Sequence, residues 1–220
     1  TAQEIAREQK AKQVIATNEL AAKFYQACLT KTPYGKAALD YLHNRGITDD
    51  IIEDFSMGFA INSFNGLMNA LGKRGYNGEM LMQAGLAVPG KNGGAYDKFR
   101  GRVMIPIKDP RGRIVGFTGR ILGDGMPKYM NTGETEFFIK RYLLFGLDIA
   151  VNEIRKTRQA IVVEGHMDAI SLHAAGVKNA VASMGTAFAA EQARLLKRMA
   201  DEVVFCYDSD NAGRNASVRA

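Results

Sequence analysis

Apolar positions along this chain change their spacing twice, and the changes divide it into three stretches. From Thr1 to Thr32 no Gly or Pro interrupts a weakly amphipathic pattern through Leu20, Phe24 and Cys28, which predicts one long helix. Its first dozen residues are polar and alanine-rich, as in a linker extending from something upstream. Pro33-Tyr34 opens a second helix with Leu39 and Leu42 on one face, ending near Gly46. Thr48 is the expected N-cap of a short third helix through Ile51, Ile52 and Phe55. A short strand near Met57 to Ala60 and two small helices, about Gly66–Leu71 and Gly78–Ala84, lead to a glycine-rich loop from Pro89 to Gly94. That loop is the candidate for a minor boundary.

The period then becomes two. RVMIPIK (102–108) places Val103, Ile105 and Ile107 on one face, and RIVGFTGRI (113–121) does the same with Val115, Phe117 and Ile121. Between them Asp109-Pro110-Arg111-Gly112 has Pro second and Gly fourth, a type I turn signal, so the pair reads as a hairpin. Half-buried alternation accounts for the apolar residues. The outward positions, Arg102, Lys108 and Arg120, are consistently basic. In the last stretch the apolar runs become continuous and short. Ile161 to Val163, Ala180 to Ala182 and Val203 to Phe205 alternate with helices after Gly165 and from about Ala187 to Ala200, the second entered through a Gly185-Thr186 turn. A β-α-β-α-β order with uninterrupted apolar strands implies a parallel sheet buried on both faces, right-handed crossovers, and all strand carboxyl ends on one edge.

Charge adds a location. The net charge is +6, and the span from Lys98 to Arg141 holds ten Lys and Arg against four acids, so this segment carries the whole surplus. Charge concentrated in this way suits a polyanion. No apolar run is long and uncharged enough to span a membrane. The two cysteines, Cys28 and Cys206, are far apart and read as reduced structural thiols, and the histidines His43, His166 and His173 show no ligand spacing with them.

Candidate chemistry sits at the strand ends. Glu164 ends the first strand of the parallel unit, and VVFCYDSDNAGR ends the third with Asp208 and Asp210. Residues two apart on an extended chain point the same way, so both aspartates would face one site. Two acids side by side repel unless a cation lies between them, and oxygen-only donors suit a hard ion such as Mg²⁺. Taken alone, that strand end also reads as a solvated Asp-rich turn. The segment GMPKYMNTGET (125–135) brings Lys128, Tyr129 and Asn131 together; a base beside an aromatic suits phosphate contact with stacking on single strands, and a plain surface loop is the other reading.

These residues resemble a known family. A strand ending in EGxxD followed by a strand ending in DxDxAG is the signature of the Toprim domain. EGHMDAISLHAAGV and YDSDNAG are most similar to its bacterial replicative primase (DnaG-type) branch. FRGRVMIPIKDPRGRIVGFTGRIL and PKYMNTGETEFFIKRYLLFGLDIA resemble the amino-terminal part of the same catalytic core. The resemblance implies an α/β protein: an α+β amino-terminal subdomain with a basic groove over residues 1–157, then a Rossmann-like Toprim domain over 158–220, incomplete at its C-terminus. Glu164, Asp208 and Asp210 would hold catalytic Mg²⁺, with Mn²⁺ able to substitute and Asp168 supporting the site. Arg45, Arg120, Lys128 and Lys140 would line the groove, with Tyr129 and Asn131 in the same motif. His166 departs from the family, which more often has an aromatic there, and Gly133 stands where proline is common. The implied activity is a nucleotidyltransferase, a DNA-directed RNA polymerase that forms short primers for DNA replication. Its partners would be a single-stranded DNA template, the RNA–DNA hybrid and ribonucleoside triphosphates, with the replicative helicase and single-strand-binding protein of the primosome reached through regions outside this chain. Its place would be the cytoplasm, at the nucleoid and replication fork, with no membrane. A Toprim topoisomerase or nuclease that cleaves DNA, and a non-catalytic DNA-binding recombination module, remain the other readings.

Overall fold

The computed structural model describes residues 1–91, 93–184 and 188–207. It resolves into two compact units that do not divide at one chain position. The first comprises Thr1–Asn44, Ser56–Ile107 and Ile114–Phe138; the second comprises Arg45–Phe55, Lys108–Arg113 and the chain from Ile139 onward. The expected division after residue 157 therefore falls inside the second unit, because the helix before it packs with the parallel sheet.

In the first unit, helix α1 (Ala2–Thr30) buries Val14, Asn18, Ala21, Tyr25 and Cys28, a stripe at the three- and four-residue spacing that faces a core. Leu20 and Phe24 flank that stripe, half-buried against the same cluster. A 3₁₀ turn at Pro33–Gly35 leads into α2 (Lys36–His43). The sheet consists of β1 (Gly58–Ala60), β4 (Arg102–Lys108), β5 (Ile114–Ile121) and β6 (Tyr129–Asn131), in the order β1-β4-β5-β6. Helix α1 lies across it: Tyr25 meets Phe117 edge-on at 5.6 Å. A Cβ on Gly58 would stand 2.5 Å from the carbonyl carbon and Cβ of Tyr25, so β1 passes α1 with no room for a side chain. Helices α4 (Gly66–Gly72) and α5 (Gly78–Gln83) close the core through Leu67, Leu71 and Leu81. Between them and β4, β2 (Ala87–Pro89) and β3 (Ala95–Asp97) pair antiparallel. The loop expected as a boundary is thus the tip of a small hairpin within one unit. Buried Asp97 links that hairpin to α4, accepting the N–H groups of Leu67 at 2.7 Å and Met68 at 3.0 Å. It satisfies helix-terminal donors that Asn65 does not cap.

The hairpin is more deeply buried than alternation predicts. Every residue of β4 through Ile107 and of β5 through Arg120 is buried. Both strands are internal to the sheet; α1 covers one face, while Phe138 packs at Gly116 and Tyr41 over Arg120 on the other.

The second unit contains α3 (Asp49–Asp54), α6 (Leu147–Thr157), β7 (Gln159–Val163), α7 (His166–Ala174), β8 (Ala180–Ala182), α8 (Ala190–Lys197) and β9 (Glu202–Cys206). The three strands are parallel in the order β8-β7-β9. Right-handed crossovers that move in opposite directions from β7 put α7 and α8 on opposite faces. The side chains agree: Val162 and Val181 join Ala150 and Ile154 of α6 and Leu196 of α8 in one core, whereas neighbouring Val163 faces a cleft lined by α7. β9 was expected to be buried on both faces. Instead it is an edge strand among the described residues, with Val203 and Phe205 packed toward α8 and with Val204 and Cys206 exposed.

Candidate nucleic-acid and metal sites

The first unit gathers cations where water is excluded. In the β5–β6 ladder Arg120 faces Tyr129 and Thr118 faces Asn131, so these four side chains share one face. Arg120 is 8% exposed, donates from Nη1 to the Tyr129 hydroxyl at 2.6 Å, and lies over the Tyr41 and Tyr129 rings at 5.0 and 5.3 Å. Its Nε, Thr118 Oγ1 and Asn131 Oδ1 are buried without a hydrogen-bond partner. Three unsatisfied polar atoms at adjacent register positions are uncommon in a closed core and fit a surface that takes a polar ligand. Lys128 is exposed beside them.

Arg102 is also buried rather than outward. Its Nη1 donates to the carbonyls of Gly119 at 3.1 Å and Pro127 at 2.9 Å. Burial, then the Arg100 charge, lower its pKa. No ion pair with a carboxylate is present at Arg102 or Arg120 among the described residues. Flanking rings and carbonyls hold these cations without cancelling their charge. Lys108 is the exception on this strand: it is mostly buried and bonds Asp148 at 2.9 Å, within the second unit.

Two features went unread in the sequence. Tyr41 supplies a ring under Arg120. Arg100 lies over Phe64 and Tyr96 at 4.5 and 5.2 Å, and Phe64 is 63% exposed. The interleaved Tyr96, Lys98, Phe99 and Arg100 were the available signal for the second.

In the second unit Glu164 follows β7 at the carboxyl edge of the parallel sheet. The β7–β9 register pairs Val163 with Cys206, which brings Glu164 level with Tyr207. Burial and then the nearby Glu164 carboxylate push the Tyr207 phenol above its usual pKa. Glu164, Asp168, Ser171, Leu172, Val163, Cys206 and Tyr207 line a cleft of about 330 Å³. Asp168 Oδ2 accepts the Gly165 N–H at 3.0 Å, which holds the strand-to-helix turn. A Cβ at Gly165 would come within 2.7 Å of that oxygen, so a larger residue there would push the Asp168 carboxylate from this contact. Asp208 is the residue after Tyr207, and Asp210 lies two further on; both are outside the described residues. Among the described residues no group of three or more His, Cys, Asp or Glu side chains could hold a metal. The two carboxylates on this cleft suit a hard cation, while the Cys206 thiol that also lines it is a soft donor outside that set.

His166 points inward, 7% exposed, with its ring edge on Phe145 at 4.8 Å; burial, then the Lys140 charge, lower its pKa to about 4. It fills apolar space, as an aromatic would. Lys140 is half-buried in a 3₁₀ turn, Lys140–Tyr142, and Arg45 is exposed; both belong to the second unit. The structure thus assembles Arg120, Lys128, Tyr129 and Asn131 on one unit, and Glu164 with Asp168 on the other.

A parallel βαβαβ unit with an acid at its strand edge and a cation-rich antiparallel unit define an α/β protein of Toprim type. A profile described as Toprim-like matches residues 161–220, and one described as DNA primase catalytic core, N-terminal domain, matches residues 24–151. The chain belongs to the DNA primase catalytic core family. It is 44% identical over 203 residues to a DNA primase of Pseudomonas putida, covering 92% of this chain and 31% of that protein. Among solved structures, a DnaG primase catalytic domain bound to ssDNA superposes with a TM-score of 0.88 at 39% identity, covering 96% of this chain and 68% of that one. The RNA polymerase domain of Mycobacterium tuberculosis primase DnaG gives 0.87 at 38% identity, covering 95% and 70%. The chain spans about a third of the length of the curated relatives it matches. Among the described residues no helix is long and apolar enough to cross a membrane.

Proposed function

We propose that this chain is the catalytic core of a DNA primase, an enzyme that joins ribonucleotides into a short RNA on a single-stranded DNA template. The observation that carries the reading is the in-register β7–β9 pair. It sets Glu164 level with Tyr207, the residue that precedes Asp208 in sequence, in a chain whose remainder matches the primase core. The DNA-cleaving and recombination-module readings gain nothing from the relatives, which are named DNA primases.

Glu164, Asp208 and Asp210 would hold the divalent ion, Mg²⁺ being the natural choice for an all-oxygen set. When bound there it supplies Lewis acidity to the attacking and leaving oxygens of the phosphoryl group. The chain's own side chains do the rest by placement. Asp168 keeps the Glu164 turn in one conformation through the Gly165 N–H. Arg120, Lys128 and Lys140 hold phosphates of the template, the nascent hybrid and the incoming triphosphate. Tyr129 and Asn131 set the edge of that surface. The nucleophile is the primer's 3′-hydroxyl, which attacks the α-phosphorus while pyrophosphate departs, so no side chain forms a covalent intermediate.

The test is ribonucleotide incorporation on single-stranded DNA with Mg²⁺ or Mn²⁺. Asp208→Ala or Asp210→Ala should abolish synthesis and leave DNA binding largely intact. Lys128→Ala should weaken binding and lower its salt dependence, because each lost phosphate contact releases fewer counterions. Synthesis that survives both aspartate changes would refute the metal assignment.

A further inference from the structure

We infer that the second unit carries an additional single-stranded nucleic-acid site on the face of its sheet opposite the Glu164 cleft. The inference rests on the primase reading for its ligand class and goes beyond it in location. An open cleft of about 510 Å³ lies between the hairpin tip and α8, lined by Arg111, Arg113, Arg194, Arg198, Tyr142 and Glu191, with Asp109, Pro110 and Leu195 completing the wall.

The acids of this wall are outweighed. Asp109 is already engaged: Oδ1 accepts the N–H groups of Arg111 and Arg113 at 2.9 and 3.0 Å, and Oδ2 pairs with the Arg113 guanidinium at 2.6 Å. That leaves Glu191 against Arg111, Arg194 and Arg198, none of which makes an ion pair among the described residues. Arg194 on α8 and Arg198 at its C-cap stand one helical turn apart, both exposed, so they are neighbours that repel unless an anion bridges them. Guanidinium groups are also the side chains best shaped to take phosphate oxygens in pairs.

Tyr142 decides which polyanion fits. It is 45% exposed at the cleft, and the Arg141 guanidinium lies over its ring at 5.0 Å. An exposed ring beside several phosphate-binding cations suits a strand whose bases are free to stack. A duplex offers no such bases, and an acidic peptide gains nothing from the ring. The sheet itself separates this cleft from Glu164: Leu196 packs on the Val162 face, whereas Glu164 lines the cleft on the Val163 face. A strand held here is therefore outside the reacting centre, as a template or displaced segment would be.

The experiment is a salt series of fluorescein-labelled oligo(dT) binding to the whole chain, with Arg194→Ala/Arg198→Ala, Tyr142→Ala and Lys128→Ala variants, and photocrosslinking with 5-iodouracil-substituted strands. Removing the two arginines should flatten the slope of log K against log salt by about 1.4, two contacts at roughly 0.7 each on single strands. Tyr142→Ala should weaken binding about tenfold, within the range for losing one stacked base. The crosslinked peptide should contain Tyr142. An unchanged slope together with no crosslink at Tyr142 would overturn the site, as would loss of polyglutamate binding by the double variant with oligo(dT) binding untouched. If Lys128→Ala weakens binding while the arginine variant does not, only the additional site falls. If the unmodified chain binds no DNA, the primase reading falls with it.

Discussion

Gln192 ties three segments of the parallel unit together, and replacing it should show how much that tie contributes. Its side chain is fully buried on α8. Nε2 donates to the Leu143 carbonyl at 2.7 Å and reaches the carbonyls of Lys140 and Ser183 at 3.5 Å, while Oε1 accepts the Ala189 N–H at 2.9 Å. One amide thus secures the start of α8, the turn that carries Lys140 and the end of β8. Gln192→Met keeps the shape and removes both short bonds. The buried Leu143 carbonyl is then left without its donor, at a cost of about 1–3 kcal/mol, and the Ala189 bond adds about 1. A loss of about 3 kcal/mol follows, which lowers Tm by about 6–12 °C for a chain of this size.

Gln192→Glu separates this account from simple repacking. A carboxylate keeps the Ala189 contact but sets negative charge against the Leu143 carbonyl, whereas a protonated carboxyl can donate to it. The folded-state pKa of the new group is therefore raised. Its stabilisation is complete below the unfolded value of about 4.3 and is lost as pH rises through the folded value. Urea melts should find the glutamate variant much weaker than the parent at pH 7 and closer to it at pH 4.5. A methionine variant within about 1 kcal/mol of the parent, or a glutamate variant with the parent's pH dependence, would refute the reasoning.

Arg120→Met should leave stability unchanged or slightly raised, because a buried cation with no carboxylate partner gives way to an apolar side chain of similar length, while oligonucleotide affinity falls; equal losses in urea melts and in anisotropy would mean that Arg120 is only structural. His173 is buried, held by Ala180 O at 2.9 Å and by the Phe55 ring edge, and burial lowers its pKa. Stability tied to it is complete above the unfolded value of about 6.5 and declines as pH falls, because the unfolded chain takes up the proton first, so denaturation midpoints should fall less between pH 7 and 5 in His173→Phe than in the parent.

Periodicity reported which residues are apolar but not how many layers would cover them. The hairpin shows this. Val103, Ile105 and Ile107 announced one buried face, yet Arg102 and Arg120 on the expected solvent positions are buried as well, because β1 and β6 make their strands internal and Tyr41, far earlier in the chain, roofs Arg120. The opposite error occurred at β9. Its apolar run reads as fully enclosed, but it stands at the sheet edge with Val204 and Cys206 exposed. The placement of Glu164 and Asp168 was legible because both fall on one strand-to-helix turn, which strand order alone carries to Tyr207, while Asp208 and Asp210 lie outside the described residues. Gln192 and Tyr41 were not legible, since an amide inside a helix and an aromatic on another look ordinary until the partners they meet are known. Local sequence places Glu164 and Asp168, whereas the cation surface of the first unit depends on contacts distant in sequence, so the two groups should respond differently to mutation. Substitutions at the acids should act on chemistry with the fold intact. Substitutions around Arg120 should act through the placement of charge, and partial losses of affinity that shrink as ionic strength rises are their expected mark.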